Sequence, residues 1–399
     1  MTNHDWLQQI KDSLYKFGEA FEEAEDAELI PSFSPTSEEE YTPDPEQLDE
    51  DMRLNTSDTW VREAEAGYSE SFRRKFLNDQ GNLELVYFVD GSVRSVRALD
   101  GREGDFIFPV VIAQIGAASI TRDKNAHPIL AKNNNGQPIL ETDIVLLAPL
   151  SQLSDTLRKQ IERRLASTGS LKVIDPFDPG ERERDYAKLR SRAARRAKYL
   201  MACIERRVVE QCVDCLSDEH QLVVMDGSLF TMLKEAQIPE DKLHRVIGIS
   251  KSFSMRPLIL MEKYLNRRDC LKQLVNLREG ERTGAIELHI DRDWVVTWYQ
   301  RIRPPEQVES PLEGIVKVET HFRDYPACQS RNDRRRLDPN WSAIWDAIAN
   351  IVYSERMPVP FHEERWHSLL YPIYCCERLL KSSFLSIEVL RGLCSGIIP

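Results

Sequence analysis

Two short segments carry the residues best suited to chemistry. Val86-Tyr87-Phe88-Val89 runs into Asp90-Gly91-Ser92, and Leu222-Val223-Val224-Met225 runs into Asp226-Gly227-Ser228. Each apolar run has the composition of a buried strand, and each ends in an acid followed by a glycine. A carboxylate at the end of a central strand is costly to bury unless something pairs with it. Two of them on neighbouring strands repel each other unless a cation lies between. Hard oxygen ligands of this kind hold Mg²⁺ or Mn²⁺ against a phosphodiester in two-metal nucleases. The plainer reading is two strand-to-turn junctions, because Asp-Gly is also a common turn dipeptide.

The elements around these acids are readable from periodicity. A strand runs to Asp90, and Ser92–Ala98 is expected to fold back on it through an Asp-Gly turn. Phe106–Ile120 and Ile139–Leu147 read as further strands, with the Asn-rich loop Asn125–Gln137 between them. Leu153–Ala166 reads as a helix. A long helix is expected over 182–216. Its first half is basic (Arg182, Arg184, Lys188, Arg190, Arg192, Arg195, Arg196, Lys198), and its second half has an apolar stripe through Leu200, Ile204, Val208 and Cys212. The strand into Asp226 comes next, then a short helix and a strand at Arg245–Ile249. Met255–Leu265 and Cys270–Leu277 look helical. Apolar residues alternate over Ala285–Ile290, Trp294–Ile302 and Ile315–Phe322, and helices are expected near 340–354 and 373–391. The order predicts an α/β domain with several antiparallel pairs and acids at strand ends.

The 399 residues suffice for two domains or one large one with insertions, and a 41% hydrophobic content supports a real core. The net charge of -12 is unevenly placed. Residues 1–65 hold 19 Asp or Glu against 4 Lys or Arg, leaving 46 acids and 49 bases in the rest. The acidity belongs to an extension, and the slightly basic body is free to bind nucleic acid. Residues 1–59 are read as an acidic amphipathic helix (Trp6, Ile10, Leu14, Phe17 and Phe21 at helical spacing) followed by a flexible linker, and residues 60–399 as the functional domain. The extension is expected to contribute little to the fold and to dock on a partner through its stripe. No basic region followed by an apolar run opens the chain, and no apolar run approaches the roughly 18 residues of a membrane span. The eight scattered cysteines fit reduced thiols and a cytoplasmic location. Cys212 and Cys215 form a CxxC without a second pair, better read as core residues than as a metal site.

Taken together, the two Asp-Gly-Ser motifs, Gly248-Ile249-Ser250-Lys251-Ser252, Trp298-Tyr299-Gln300-Arg301 and a late Tyr-Pro before a helix resemble the NurA family of nucleases. Members of that family are partners of HerA-type hexameric ATPases. The likeness spans roughly residues 60–395, and its most specific parts are the two Asp-Gly-Ser motifs and Lys251-Ser252. It implies an RNase H-like fold, Mn²⁺ or Mg²⁺ as cofactor, DNA as substrate, and a homodimer seated on the translocase. It implies metal-binding roles for Asp90 and Asp226, and for an acid on the helix before Asp226. Glu205, beside the apolar stripe, is preferred there over Glu210, whose neighbours Arg206, Arg207 and Asp214 mark a solvated face. The family's last ligand is usually a histidine on the final helix. In Leu370-Tyr371-Pro372-Ile373-Tyr374-Cys375-Cys376-Glu377 that place falls to Glu377, a normal Mg²⁺ or Mn²⁺ ligand type; His367 competes through a gapped alignment. Lys251 would neutralise the scissile phosphate or leaving oxygen.

Tyr299 and Arg301 share a strand face and could stack on a base and hold a phosphate. Arg94 and Arg97 are similar cases. The basic half-helix and Arg331-Asn332-Asp333-Arg334-Arg335-Arg336 are candidate phosphate contacts. Walker A, Gly-x-Ser-x-Gly and HExxH patterns are absent from the sequence, which leaves ATP hydrolysis, serine hydrolase and zincin chemistry unsupported. The expected activity is metal-dependent cleavage of DNA in end processing, repair or antiviral defence. The rivals are a catalytically weak adaptor for a motor ATPase and an RNA-cleaving enzyme of the same fold.

Overall fold

The computed structural model describes residues 3–31, 59–65, 73–76, 82–166, 171–177, 180–230, 232, 240–264, 269–290, 293–322, 325–327, 340–360 and 366–395. The chain opens with helix α1 (Asn3–Glu22) and strand β1 (Ala27–Pro31), followed by β2 (Trp60–Glu63) and β3 (Arg73–Lys75). Two long strands come next, β4 (Glu84–Glu103) and β5 (Phe106–Arg122), then β6 (Pro128–Leu130) and β7 (Leu140–Leu147). Helix α2 (Asp155–Leu165) and β8 (Lys172–Ile174) lead to the long helix α3 (Tyr186–Asp214). After it stand β9 (Gln221–Asp226), α4 (Glu240–Leu243) and β10 (Val246–Ser250). Helices α5 (Arg256–Tyr264) and α6 (Cys270–Val275) precede β11 (Glu281–Thr283), β12 (Ile286–Ile290), β13 (Asp293–Arg301) and β14 (Ile315–Thr320). Helices α7 (Asn340–Ser354), α8 (Tyr371–Ser383) and α9 (Ile387–Ser395) close the chain. The single helix expected at 373–391 is thus two, broken at Phe384-Leu385-Ser386.

This is an α/β protein with one large mixed sheet flanked by helices. Its main path runs β2-β12-β13-β14-β10-β9-β4-β5-β7-β8. The centre of the path changes character. Strands β4, β5 and β7 are antiparallel neighbours, whereas β9 runs parallel to β4 and β10 parallel to β9. Period-two alternation sends successive side chains to opposite faces. Phe88, Ala118, Leu222 and Val224 pack with Ile373, Cys376 and Leu380 of α8 and with Trp345 of α7. Their neighbours Val89, Ala117, Val223 and Met225 pack with Ala193, Ala197, Ile204 and Val208 of α3. Helices α3 and α8 therefore cover opposite faces of the same strands. Helix α3 starts where the Asp185 carboxylate accepts the Lys188 amide hydrogen at 3.0 Å, an N-cap that also favours the helix dipole.

Strand β4 corrects one expectation. No turn separates Asp90 from Val93–Ala98; the strand passes straight through Asp90-Gly91-Ser92. The hairpin forms further on, where Glu103 meets Phe106 across Gly104 at φ +58°.

The N-terminal stripe corrects another. Ile10, Leu14, Phe17 and Phe21 are buried among Val96, Leu99 and Phe108 of the sheet, Leu157 and Ile161 of α2, and Leu390 and Leu393 of α9. Each fully buried side chain of this size contributes about 1.5–3 kcal/mol. Strand β1 then pairs with Leu99–Glu103 of β4. Arg164 of α2 pairs with Glu19 at 2.9 Å and also with Glu23. Residues 3–31 are part of the core, and the stripe is not left for a partner; residues 32–58 of the expected linker lie outside the described residues. Among the described residues no helix is long and apolar enough to cross a membrane.

Candidate active site

Asp90, inside β4, and Asp226, at the end of β9, come together where the two strands part. Strands β4 and β9 pair in parallel up to Val89 opposite Met225, and β4 regains a described partner on that edge only at Leu99, through β1. Asp90 and Asp226 are the next residues beyond the last pair. Both follow the alternation of Phe88 and Val224, so both lie on the face covered by α8. Crevices beyond the carboxyl ends of parallel strands are where α/β sheets bind ligands. Strand β9 stops because Gly227 turns away at φ +102°, its amide donating to the Ile249 carbonyl at 2.8 Å. Lys251, at the end of β10, places Nζ 2.7 Å from Asp226 Oδ2. Glu377 approaches from α8 and pairs with Lys381 one turn on, at 2.7 Å.

Burial dominates the electrostatics. Asp90 is 5% exposed, and its carboxyl makes no hydrogen bond or ion pair with any described residue. Its pKa is pushed well above the usual carboxylate value, first by burial and then by the charge of Asp226, with Glu377 adding to the rise and Lys251 and Lys381 offsetting part of it. The Lys251 pKa is also raised: burial works against its charge, but Asp226, Asp90 and Glu377 together outweigh that. Three carboxylates thus share two ammonium groups, and Asp90 is the one left over.

Glu205, expected as a metal ligand beside Asp90, instead comes to β4 from the opposite face. It is 6% exposed on α3, and its carboxyl carbon would lie 3.5 Å from a Cβ placed on Gly91. Met201 would be far closer, its Sδ at 2.0 Å, so only a residue without a side chain lets α3 settle here. Glu205 therefore stands on the α3 side of β4, across the strand from the Asp90 carboxyl. Glu210 pairs with Arg206 at 3.1 Å on a partly exposed face.

His367 lies elsewhere: its Nδ1 accepts from the Gly314 amide at 3.3 Å and is 2.8 Å from Ser368 Oγ. Glu377, rather than His367, is in electrostatic reach of Asp90.

Several candidates make contacts within the fold. Tyr299 and Arg301 are fully buried; Tyr299 donates to the Ser254 carbonyl at 2.8 Å, and Arg301 to the carbonyls of Pro311 at 2.6 Å and Glu313 at 2.9 Å. Arg94 donates to the Leu385 carbonyl at 2.7 Å, and Arg97 to Tyr186 Oη at 2.8 Å. The expected helix start at 182 is too early: Arg182 and Arg184 precede α3, with Arg184 over Phe106, while on the basic half of α3 Lys188 pairs with Glu183 and Arg192 with Glu181. Cys212 is a core thiol raised to about 12 by burial. Arg331–Arg336 lie outside the described residues. An open cavity of about 940 Å³ lined by Lys272, Arg278 and Glu306 shares no residue with the acid cluster.

Sequence reasoning missed three participants. Lys381 was signalled only by its i,i+4 spacing from Glu377, which marks countless surface pairs. Glu319 and Lys317 read as the solvated face of an alternating strand, yet both are fully buried. Glu319 Oε2 accepts from Ser228 Oγ at 2.8 Å, directly behind the turn that follows Asp226.

Among the described residues no three His, Cys, Asp or Glu converge as a ready-made metal centre. The chemistry of the cluster still suits a hard divalent cation. Its donors are carboxylate oxygens, and a buried carboxylate without a partner is short of one positive charge. Asp90, Asp226 and Glu377 could supply the ligands, with Asp226 giving up part of its contact to Lys251. The chain matches no family model and no curated protein.

Proposed function

We propose that the protein is a metal-dependent deoxyribonuclease with an RNase H-like core, of the NurA type, working as a homodimer with a HerA-type hexameric ATPase in DNA end processing or antiviral defence. The observation that carries this reading is the meeting of Asp90, Asp226, Lys251 and Glu377 where the parallel pairing of β4 with β9 ends. The strand order supports it too. The strands β7, β5 and β4 are antiparallel neighbours, β9 and β10 extend the sheet in parallel beside β4, and the long helix α3 precedes β9, an order compatible with an RNase H-like core. A bound Mg²⁺ or Mn²⁺ would supply an activated water at neutral pH and stabilise charge on the departing oxygen.

In this reading Asp90, Asp226 and Glu377 hold the cation, and Glu205 fixes the α3 side of the site. Lys251, once its hold on Asp226 loosens, faces the phosphate with a full charge. Burial of Asp90 keeps bulk water from the strand end.

The second reading is a catalytically weak adaptor for a motor ATPase. It is favoured by the 2.7 Å contact of Lys251 with Asp226, which satisfies that acid without metal. Degradation of end-labelled DNA in Mn²⁺ by the wild type and by Asp90→Ala separates the two. The nuclease reading expects cleavage that the substitution abolishes. Absence of cleavage by a wild-type protein that binds DNA and a hexameric ATPase establishes the adaptor. A Mn²⁺ titration tests the ligand set: Glu377→Gln should weaken binding, and His367→Ala should leave it unchanged.

A further inference from the structure

We propose that the buried pair Lys317–Glu319 on β14 is the device that positions Asp226 against Lys251. For its catalytic consequence this rests on the nuclease reading above; its structural content does not. Strand β14 is two places from β9, with β10 between them. Glu319 stands opposite Gly248 of β10. A Cβ on Gly248 would lie 2.6 Å from the Leu229 amide nitrogen and 3.0 Å from the Gly227 carbonyl oxygen. The turn after Asp226 therefore folds directly over the bare glycine, and the Glu319 carboxylate reaches across to meet it. Its Oε2 accepts from Ser228 Oγ at 2.8 Å and from the Phe230 amide at 3.1 Å, while Oε1 lies 2.5 Å from Lys317 Nζ. Both charged side chains are fully buried.

The same unit references both halves of the Asp226–Lys251 contact. Lys317 stands opposite Ser250, the residue before Lys251, and Glu319 holds the turn that begins at Gly227. Alternation along β14 puts Val316 and Val318 on the α8 face and Lys317 and Glu319 on the other. Glu319 is therefore across the sheet from the Asp226 carboxyl and acts on it only through the turn that Ser228 Oγ and the Phe230 amide tie down; it is a positioning residue. Energetics point the same way. Desolvating an ion pair costs as much as or more than the pair returns, and an apolar pair of equal size is generally no less stable. What the charged pair supplies is an acceptor in a fixed place, with two donors of one turn converging on it.

The test uses the full chain, with Lys317→Met/Glu319→Leu, which removes both charges and the acceptor together, and with Ser228→Ala and Ser228→Thr. Hydrogen exchange of the 226–232 segment, Mn²⁺ affinity, and kcat and KM on labelled DNA are measured alongside Tm. In the double variant, exchange should be about tenfold faster or more, Mn²⁺ binding weaker by a similar factor, and kcat lower with KM for DNA unchanged, the range seen for outer-shell partners. Ser228→Ala should move in the same direction with its Tm kept, and Ser228→Thr, which restores the hydroxyl, should return to wild type. A folded double variant with wild-type exchange and Mn²⁺ affinity overturns the proposal. Should the double variant fail to fold, equal exchange in Ser228→Ala and Ser228→Thr overturns it instead. If the wild type neither binds Mn²⁺ nor cleaves DNA, the nuclease reading fails, and the exchange comparison still decides the positioning role.

Discussion

The two Asp-Gly-Ser tripeptides have identical residues and opposite geometry. The first lies inside a twenty-residue strand, extended throughout, and the second ends a six-residue one. Gly91 is needed for its missing side chain, since a Cβ would meet Met201 Sδ at 2.0 Å. Gly227 is needed for its backbone, at φ +102°, with nothing within 4 Å of where a Cβ would lie. Ser92 is buried in the continuing strand, and Ser228 turns back to Glu319. The acids differ as well: Asp226 has Lys251 at 2.7 Å, and Asp90 has no described partner. A tripeptide does not encode a turn. Strand β4 continues because Val93, Ser95 and Arg97 keep alternating and β5 pairs with it all along; β9 ends because Leu229 and Phe230 leave the strand and pack as core residues.

The largest effect expected from breaking this comparison is on cleavage. Asp90→Ala and Asp226→Ala should each lower the rate on labelled DNA by more than the roughly 100-fold that losing an outer-shell group costs. Retention of full activity by either variant would leave the site with only one working motif. Next come the glycines, compared by Tm and denaturant midpoint. Gly227→Ala should cost about 2 kcal/mol through backbone strain, and no neighbouring substitution should restore it. Gly91→Ala should cost about 1 kcal/mol by overpacking, because the end of the Met201 chain can turn aside. Adding Met201→Ala should recover most of that loss; failure to do so would show that strand geometry, rather than space, requires Gly91.

The smallest effect is electrostatic, because Lys251 and Lys381 already offset part of the repulsion on Asp90. Its folded pKa lies above the unfolded value, so the folded state keeps the proton longer. Between those two values stability falls as pH rises, and above the folded value the loss is complete. Asp90→Asn lacks that loss. In EDTA, its stability relative to wild type should therefore grow as pH rises above about 4, the ordinary carboxyl value. A gap that is constant with pH would mean that the Asp90 carboxyl is not strained in the fold.

Local order was largely legible. Helix α3, the strands into Asp90 and Asp226, β13, β14 and α7 were all visible as periodicity, because side chains that must face a core recur at the period of their element. The apolar runs also marked Asp90 and Asp226. Glu377 was named only through the resemblance, as the residue standing where that family has a histidine, with His367 as its competitor; the structure puts Glu377 in the middle of α8 and His367 in the turn before it. Arg301 and Arg94 were read as exposed for one reason. Charge in a sequence looks solvated, and only the fold shows that Arg301 is enclosed by carbonyl oxygens, or that Arg94 is tied to the Leu385 carbonyl.

By itself the sequence determined most of the longer helices and strands, which faces are apolar, and that two buried-strand acids exist to be paired. Tertiary structure alone decided that Asp90 and Asp226 become neighbours, because they lie more than a hundred residues apart and meet only when β9 returns parallel to β4. It decided that the N-terminal stripe closes the core beside α2 and α9, since an apolar stripe specifies burial but not against what. It decided, too, that Lys317 and Glu319 go inside: a charged pair alternating with valines reads as a wet face until a second layer, here the α5–α6 side of the sheet, takes the place of water.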